Sequence, residues 1–251
     1  MDITAIQQIW KVQHSYWWYK VRRQVILQLI RPYLQPLPSV KWLDAGCGPG
    51  ANLSAFQTFG EVYGVDIHPQ CLEYAKKTIP QARLVQADIS KELPFEKNFF
   101  DIITLLDVLE HIQEDQQAIQ NLLATLKPNG YLVLTTPAYP WLWSAFDELV
   151  HHQRRYTIPT LQQLLNKPKC TIRKLSHFYF SVFPLTILLR KCFTPQKLTI
   201  KNKEKIQITP SVPNWLNQWL YLLCAWEALY LKWGNLPWGS SLIAIAQKNQ
   251  N

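Results

Sequence analysis

The stretch KWLDAGCGPGAN, residues 41–52, places three glycines at alternate positions directly behind an acid. Residues 40–43 read as a short strand, the glycines as a turn, and residues 53–59 as a helix. Such a turn has no Cβ to block close approach, and its amides point outward as donors. GCGPGA satisfies the G-x-G-x-x-G/A spacing at Gly46, Gly48 and Ala51. Taken alone, the turn suits a dinucleotide held by phosphates, a nucleoside ligand without phosphates, or a purely structural bend. Asp44 shifts the balance. A carboxylate at this entrance repels a pyrophosphate and suits a cationic ammonium, directly or through water.

Two further acids follow at the ends of expected strands. Asp66 comes twenty residues after Gly46 and ends EVYGVDI, where an acid can chelate a ribose diol. Its bland alternative is a solvated loop acid. Asp88-Ile89 ends ARLVQADI: the acid can accept the adenine amino proton while the isoleucine packs on the ring. Dinucleotide folds have no standard acid there.

Outward from these motifs, strand and helix alternate. Residues 70–79 and 116–126 read as helices, the second stopped by KPNG. FFDIITLLDVL is a nearly continuous apolar run, as expected of a strand buried on both faces, and YLVLTTP is the fifth strand. Residues 38–137 therefore predict a parallel sheet with right-handed crossovers. Upstream, apolar residues at three- and four-residue steps predict one helix over 3–30, broken by the prolines of RPYLQPLPS. Downstream come a short helix at 159–165, a strand at 171–180 and a closing strand, SLIAIAQK, at 241–248.

The bulk composition bounds partners and compartment. Of 251 residues, 48% are hydrophobic, so a sizeable core is expected. The net charge of +9 asks for an acidic partner. It is concentrated: residues 151–205 hold twelve Lys or Arg against one acid, Glu204. Five scattered cysteines without CxxC spacing argue against a disulfide framework and a structural zinc site, and for a reducing, cytoplasmic compartment. No signal-peptide pattern is present, and no apolar run reaches the ~20 residues of a spanning helix.

VKWLDAGCGPG, VYGVDIHP, LVQADISKELPF, FDIITLLDVLEHI and LKPNGYLVLTTP occur in that order. Together they resemble the successive motifs of class I S-adenosylmethionine-dependent methyltransferases, of the ubiquinone-type, type 11 and type 23 methyltransferase-domain group. The resemblance covers about residues 15–160 and the closing strand. It implies a Rossmann-like α/β fold: a seven-stranded, mostly parallel sheet with an antiparallel last strand and a helical insertion between strands 6 and 7. It implies S-adenosyl-L-methionine as cofactor, with Gly46, Gly48 and Gly50 at the methionine part. Asp66, with Ile67 beside it, would take the ribose, and Asp88 and Ile89 the adenine. Leu105 and Leu106 would flank the sulfonium, and Arg22 or Arg23 would reach the methionine carboxylate. The expected segments are an N-terminal helical part (1–36), a methyltransferase domain (37–180 and 240–248) and a hydrophobic, basic insertion (181–239).

Methyl transfer to oxygen usually needs a base, most often His. His111 closes DVLEH; on a helix, Asp107, Glu110 and His111 would share one face. This resembles the E-x-x-E-H arrangement of ubiquinone-type enzymes, which implies a divalent metal, although the first acid here is Asp. The bland alternative is that Glu110 and His111 fix the start of the next helix. HHQRRYT supplies His151 or His152 as base, with Arg154, Arg155 and Tyr156 beside them. Its alternative is a solvated basic turn.

The insertion would roof the substrate entrance. Trp215, Trp219, Leu222, Trp226, Leu229 and Trp233 repeat at four- and three-residue steps, just downstream of Lys197, Lys201, Lys203 and Lys205. An aromatic face near cations is what an in-plane membrane helix looks like. The same spacing suits a helix covering the sheet or a dimer partner. Nucleic acid is disfavoured, because the cations are interleaved with aliphatics such as FPLTILL. The expectation is methyl transfer, to oxygen ahead of carbon, on a small or lipid-linked acceptor by a cytoplasmic protein held peripherally on the inner membrane face. A soluble enzyme with the insertion as dimer interface, a non-catalytic cofactor-binding scaffold and a nicotinamide-dependent oxidoreductase are the alternatives.

Overall fold

The computed structural model describes residues 3–34, 39–167, 170–192 and 212–250. Seven strands form one sheet: β1 (Val40–Ala45), β2 (Gly60–Asp66), β3 (Arg83–Gln86), β4 (Phe100–Leu106), β5 (Leu126–Pro137), β6 (Cys170–Phe178) and β7 (Ser241–Lys248). Their order is β3-β2-β1-β4-β5-β7-β6. The first five pair in parallel, and β7 lies antiparallel between β5 and β6. This is the expected mostly parallel α/β sheet. The order reverses at β1, whose neighbours are β2 and β4, so a crevice opens beyond the carboxyl ends of β1 and β4.

Successive residues of each strand face opposite ways, and two cores result. Trp42, Ile102, Val133 and Ile243 pack with α2 (Trp17–Leu34) and α9 (Asn214–Tyr230). Leu43, Ile103, Leu132 and Ala244 pack with α5 (Asp115–Thr125) and α7 (Ile158–Asn166). α2 and α9 of the insertion thus share a core with the sheet.

Local expectations shift at three places. The helix expected over 3–30 is two helices, α1 (Ile3–Val12) and α2, because Oδ1 of Asn217 accepts the first N–H of α2 from Trp17 at 2.8 Å. α2 then runs through Pro32 to Leu34 instead of stopping at the proline. KPNG does not separate α5 from β5. It is absorbed as a bulge within β5, between the pairs Phe100–Leu126 and Ile102–Tyr131, with Asn129 at φ 63°.

The insertion holds α8 (Phe183–Cys192) and α9. Glu227 of α9 is wholly buried, and its carboxylate accepts the N–H groups of Phe180 at 3.0 Å and Ser181 at 2.9 Å. Of Asn217, Gln218 and Glu227, which interrupt the apolar run of α9, Asn217 and Glu227 therefore anchor other elements. Lys197, Lys201, Lys203 and Lys205 lie outside the described residues. Among the described residues, no helix is long and apolar enough to cross a membrane.

Candidate active site

The loops beyond β1 and β4 open into a cleft of about 1250 Å³. Gly46, at φ 72°, hydrogen-bonds through its N–H to the carbonyl of Val65, and a Cβ there would sit 2.4 Å from Val108 Cγ2. Gly48, at φ 52°, has open space where its Cβ would be and lines the cleft. Gly50 does not line it; it opens α3 (Ala51–Phe56).

Asp66 stands at the end of β2, where its Oδ2 accepts the Gly48 N–H and its Oδ1 the His68 N–H, both at 2.9 Å. A carboxylate has about four lone-pair sites, so both oxygens keep capacity for a diol. Ile67 lines the cleft beside it and is largely exposed. Asp88 and Ile89 line the cleft just past the end of β3. The Ser90 hydroxyl and N–H, at 2.6 and 2.9 Å from Asp88 Oδ1, hold that carboxyl below its usual range.

Asp44 is not at the cleft surface. It is buried behind the turn, where Oδ1 accepts the Thr104 hydroxyl at 2.6 Å and Oδ2 has no hydrogen-bond partner. Burial pushes its carboxyl up to about 7. Asn52, which does line the cleft, also has a buried oxygen without a partner. Leu106 lines the cleft, but Leu105 points into the opposite core. Arg23 turns away to the Gln13 carbonyl at 3.1 Å, and the arginine facing the cleft is Arg22. Arg22 is buried, its Nε has no partner, and its guanidinium pairs with Asp107. The open Gly48 face and the unpartnered buried Asn52 oxygen and Arg22 Nε on one cavity fit a ligand bearing both an amine and a carboxylate.

Asp107, Glu110 and His111 do not share a helical face. Asp107 takes φ 54°, held by Arg22 and by the Thr135 hydroxyl at 2.9 Å, and Leu109–His111 forms a single 3-10 turn. Asp107 therefore leaves the set, and His152 joins it. Glu110, His111 and His152 bring ligating atoms within 4.8 Å of one another. The His111 and His152 rings lie 4.7 Å apart, and His152 Nε2 is 3.8 Å from Glu110 Oε1. Burial and the Asp107 charge hold the Glu110 carboxyl well above its usual range, and burial lowers His111 to about 4. By donor type the three suit a divalent cation.

On its other side, His152 Nδ1 lies 2.8 Å from Oδ1 of Asp147, a wholly buried residue of α6 (Ala145–Leu149). Burial alone would raise this carboxyl, but His152, Arg155 and Arg190 together hold it well below its usual range. Arg155 Nε reaches Oδ1 at 2.8 Å, and Arg190 of α8 reaches Oδ2 at 2.6 Å. Asp147 is the site residue that sequence reading missed. Its only local signal is the capping box it forms with Ser144.

HHQRRYT is no solvated turn. His151 is exposed at the cleft rim, with φ 61°. Arg154 binds Asp115 at 2.8 Å. Tyr156 does not face the cleft: it is buried, donates to Asp115 Oδ2 at 2.8 Å, and burial with that acid pushes its hydroxyl far up. That removes Tyr156 from the catalytic set.

A sheet of this order, a glycine turn at its switch point and acids ending β2 and following β3 are the arrangement of a class I methyltransferase domain that uses S-adenosyl-L-methionine, and the comparisons with known proteins agree with it. Residues 43–134 match the family model described as methyltransferase domain. The chain is similar to the ubiquinone biosynthesis O-methyltransferase of Rickettsia felis, 29% identical over 154 residues, 54% of this chain and 62% of that protein. It also resembles that of Coxiella burnetii, 32% identical over 131 residues, 48% of this chain and 56% of that one. The match thus spans about three fifths of these relatives' length. Among solved structures, the [4+2]-cyclase SpnF covers 99% of this chain and 94% of its own at TM-score 0.63 and 17% identity. A SAM-dependent methyltransferase from Archaeoglobus fulgidus covers 90% and 94% at TM-score 0.57 and 18% identity. Both show the fold.

Proposed function

We propose that this protein transfers a methyl group from S-adenosylmethionine to an oxygen of a small or lipid-linked acceptor at a membrane surface. The carrying observation is His152, backed by the buried Asp147, in the wall of the same cleft as the glycine turn. Bound S-adenosylmethionine supplies a methyl group already activated by sulfonium, so the chain's work is alignment and proton removal.

Gly48 and Arg22 would receive the methionine part, Asp66 the ribose and Asp88 with Ile89 the adenine, leaving Leu106 beside the reacting centre. Ionised Asp147 is an acceptor only, so the Nδ1 that it touches carries the hydrogen. The Nε2 lone pair of His152 is then free to take the acceptor's hydroxyl proton. Phe146, Leu149 and Leu189 line the cleft and suit an apolar acceptor body. Glu110, His111 and His152 are also the groups that would hold a divalent ion; when bound, it would polarise the acceptor hydroxyl. Assays with and without chelator separate that route from His152 acting alone. The membrane setting is supported by the tryptophan face of α9, which is exposed.

The test is transfer of label from radioactive S-adenosylmethionine into a lipid extract. Counts in the organic phase that vanish with His152→Ala support the reading. A protein that ignores S-adenosylmethionine and S-adenosylhomocysteine but captures NADH overturns it.

A further inference from the structure

The tryptophan stripe of α9 does not cover the sheet. Trp215, Trp219, Leu222, Trp226 and Leu229, with Trp233 in the turn just after the helix, are between 42% and 89% exposed, and the opposite side of the helix, with Leu220, Cys224, Glu227 and Ala228, is the buried one. A second apolar group stands at the mouth of the cleft. Leu185, Leu188 and Leu189 of α8 are about half exposed, and Trp141 and Phe146 beside them are exposed too. Thr186, Leu189 and Arg190 of the same helix line the cleft.

The two groups are joined. The Trp141 ring lies 6.3 Å from that of Phe183 at the start of α8. Just before that helix, Ser181 accepts the Trp226 indole N–H at 3.0 Å, and Phe180 stacks on Trp238 at 5.2 Å. Two exposed apolar groups, tied together through the buried Phe183 and the Phe180–Ser181 turn, therefore make one strip from the cleft rim to the outer face of α9. Exposed apolar surface of this extent marks an interaction site.

Its cations choose the partner. Lys191 Nζ sits 5.3 Å from the Trp141 ring, whereas Arg190 is already neutralised by Asp147. In sequence, Lys197, Lys201, Lys203 and Lys205 fall between α8 and α9, within a chain of net charge +9. A second copy would oppose like charges across this strip. An anionic leaflet would neutralise them and take up the indole rings at its interface.

We infer that this strip is the face by which the protein lies on an anionic bilayer, with the mouth of the cleft turned toward the leaflet. The inference deepens the proposed membrane-surface reading, but the docking itself requires no methyl transfer.

Sedimentation of the full chain with vesicles tests it. Vesicles of phosphatidylglycerol and phosphatidylcholine should bind at least tenfold more tightly than phosphatidylcholine alone, with affinity falling as salt rises. Trp219→Asp in α9 and Leu188→Asp in α8 should each weaken binding at least tenfold. Calorimetry with S-adenosylhomocysteine should give each variant the parent's affinity within twofold, showing that the fold survives. Absent binding to anionic vesicles overturns the inference, as does equal binding to both compositions. So does loss in the α9 variant alone, because the mouth then faces away. Variants that turn a dimer into a monomer, with no vesicle binding by the parent, assign the strip to self-association. Failure of methyl transfer with vesicle binding intact leaves the docking standing and sinks the proposed activity instead.

Discussion

Oδ1 of Asp147 lies 2.8 Å from Nδ1 of His152, and Arg155 and Arg190 hold the same carboxylate from other sides. This fixes the imidazole and its tautomer before any acceptor arrives. A positioned general base contributes typically about 10²–10⁴-fold. His152→Ala should therefore lower kcat by about that factor, with S-adenosylhomocysteine affinity unchanged. Asp147→Asn should act in the same direction, because an amide can donate to Nδ1 and misplace the lone pair. It should also lower the melting temperature, since losing one partner of a buried ion pair costs about 3–5 kcal/mol. Single-turnover rates and a thermal melt check both. An Asp147→Asn enzyme with parental rate would remove this carboxylate from the chemistry.

Asp66 does two jobs, holding the Gly48 and His68 N–H groups and facing the cleft. A hydrogen bond to a charged group is worth about 1.5–3 kcal/mol. Asp66→Ala should weaken cofactor binding by about ten- to a hundredfold. Calorimetry with S-adenosylhomocysteine measures this directly, and unchanged affinity would take Asp66 out of the site.

The sheet was legible because its signals are local. Alternating motifs gave the strands, SLIAIAQK matches β7 residue for residue, and Gly46, Gly48, Asp66 and Asp88 all reach the cleft. Apart from Asp147, whose partners His152 and Arg155 are close in sequence, what sequence reading missed rests on contacts between distant residues. Arg22 and Asp107 are 85 positions apart, and their pairing holds Asp107 in a left-handed conformation that breaks the expected helical face. Arg22 rather than Arg23 faces the cleft because neighbours on a helix are turned by about 100°, and Arg22 shares the side of Val25, Ile26 and Leu29. α9 reverses the usual rule that the most apolar face is buried. Its interior side carries Glu227, whose partners in the Phe180–Ser181 turn lie more than forty positions away.

Glu227→Gln tests that last arrangement. An amide keeps one acceptor oxygen for two N–H groups and places its own NH₂ against the other. Leaving a buried donor unsatisfied costs about 1–3 kcal/mol. The variant should melt several degrees lower and loosen the start of α8, seen as faster hydrogen exchange over residues 178–186. Unchanged exchange there would mean that Glu227 does not anchor this turn.

The last prediction concerns Asp44, whose carboxyl is pushed up to about 7 by burial. An exposed aspartate titrates near 3.9. Between these two values the folded protein keeps a proton that the unfolded chain has released. Stability therefore falls as pH rises through that window and levels off above about 7, by an amount on the order of 4 kcal/mol. Asp44→Asn removes this dependence and should make the ligand-free protein more stable than the parent at pH 8. The carboxylate formed above pH 7 is buried with one oxygen lacking a partner, so a cationic ligand close behind the turn offsets its cost. The rise in melting temperature on adding saturating S-adenosylmethionine should then be larger at pH 8 than at pH 5.5 for the parent, and equal at both for Asp44→Asn. A parent whose ligand-induced rise is the same at both values would show that the charge of Asp44 does not sense the ligand.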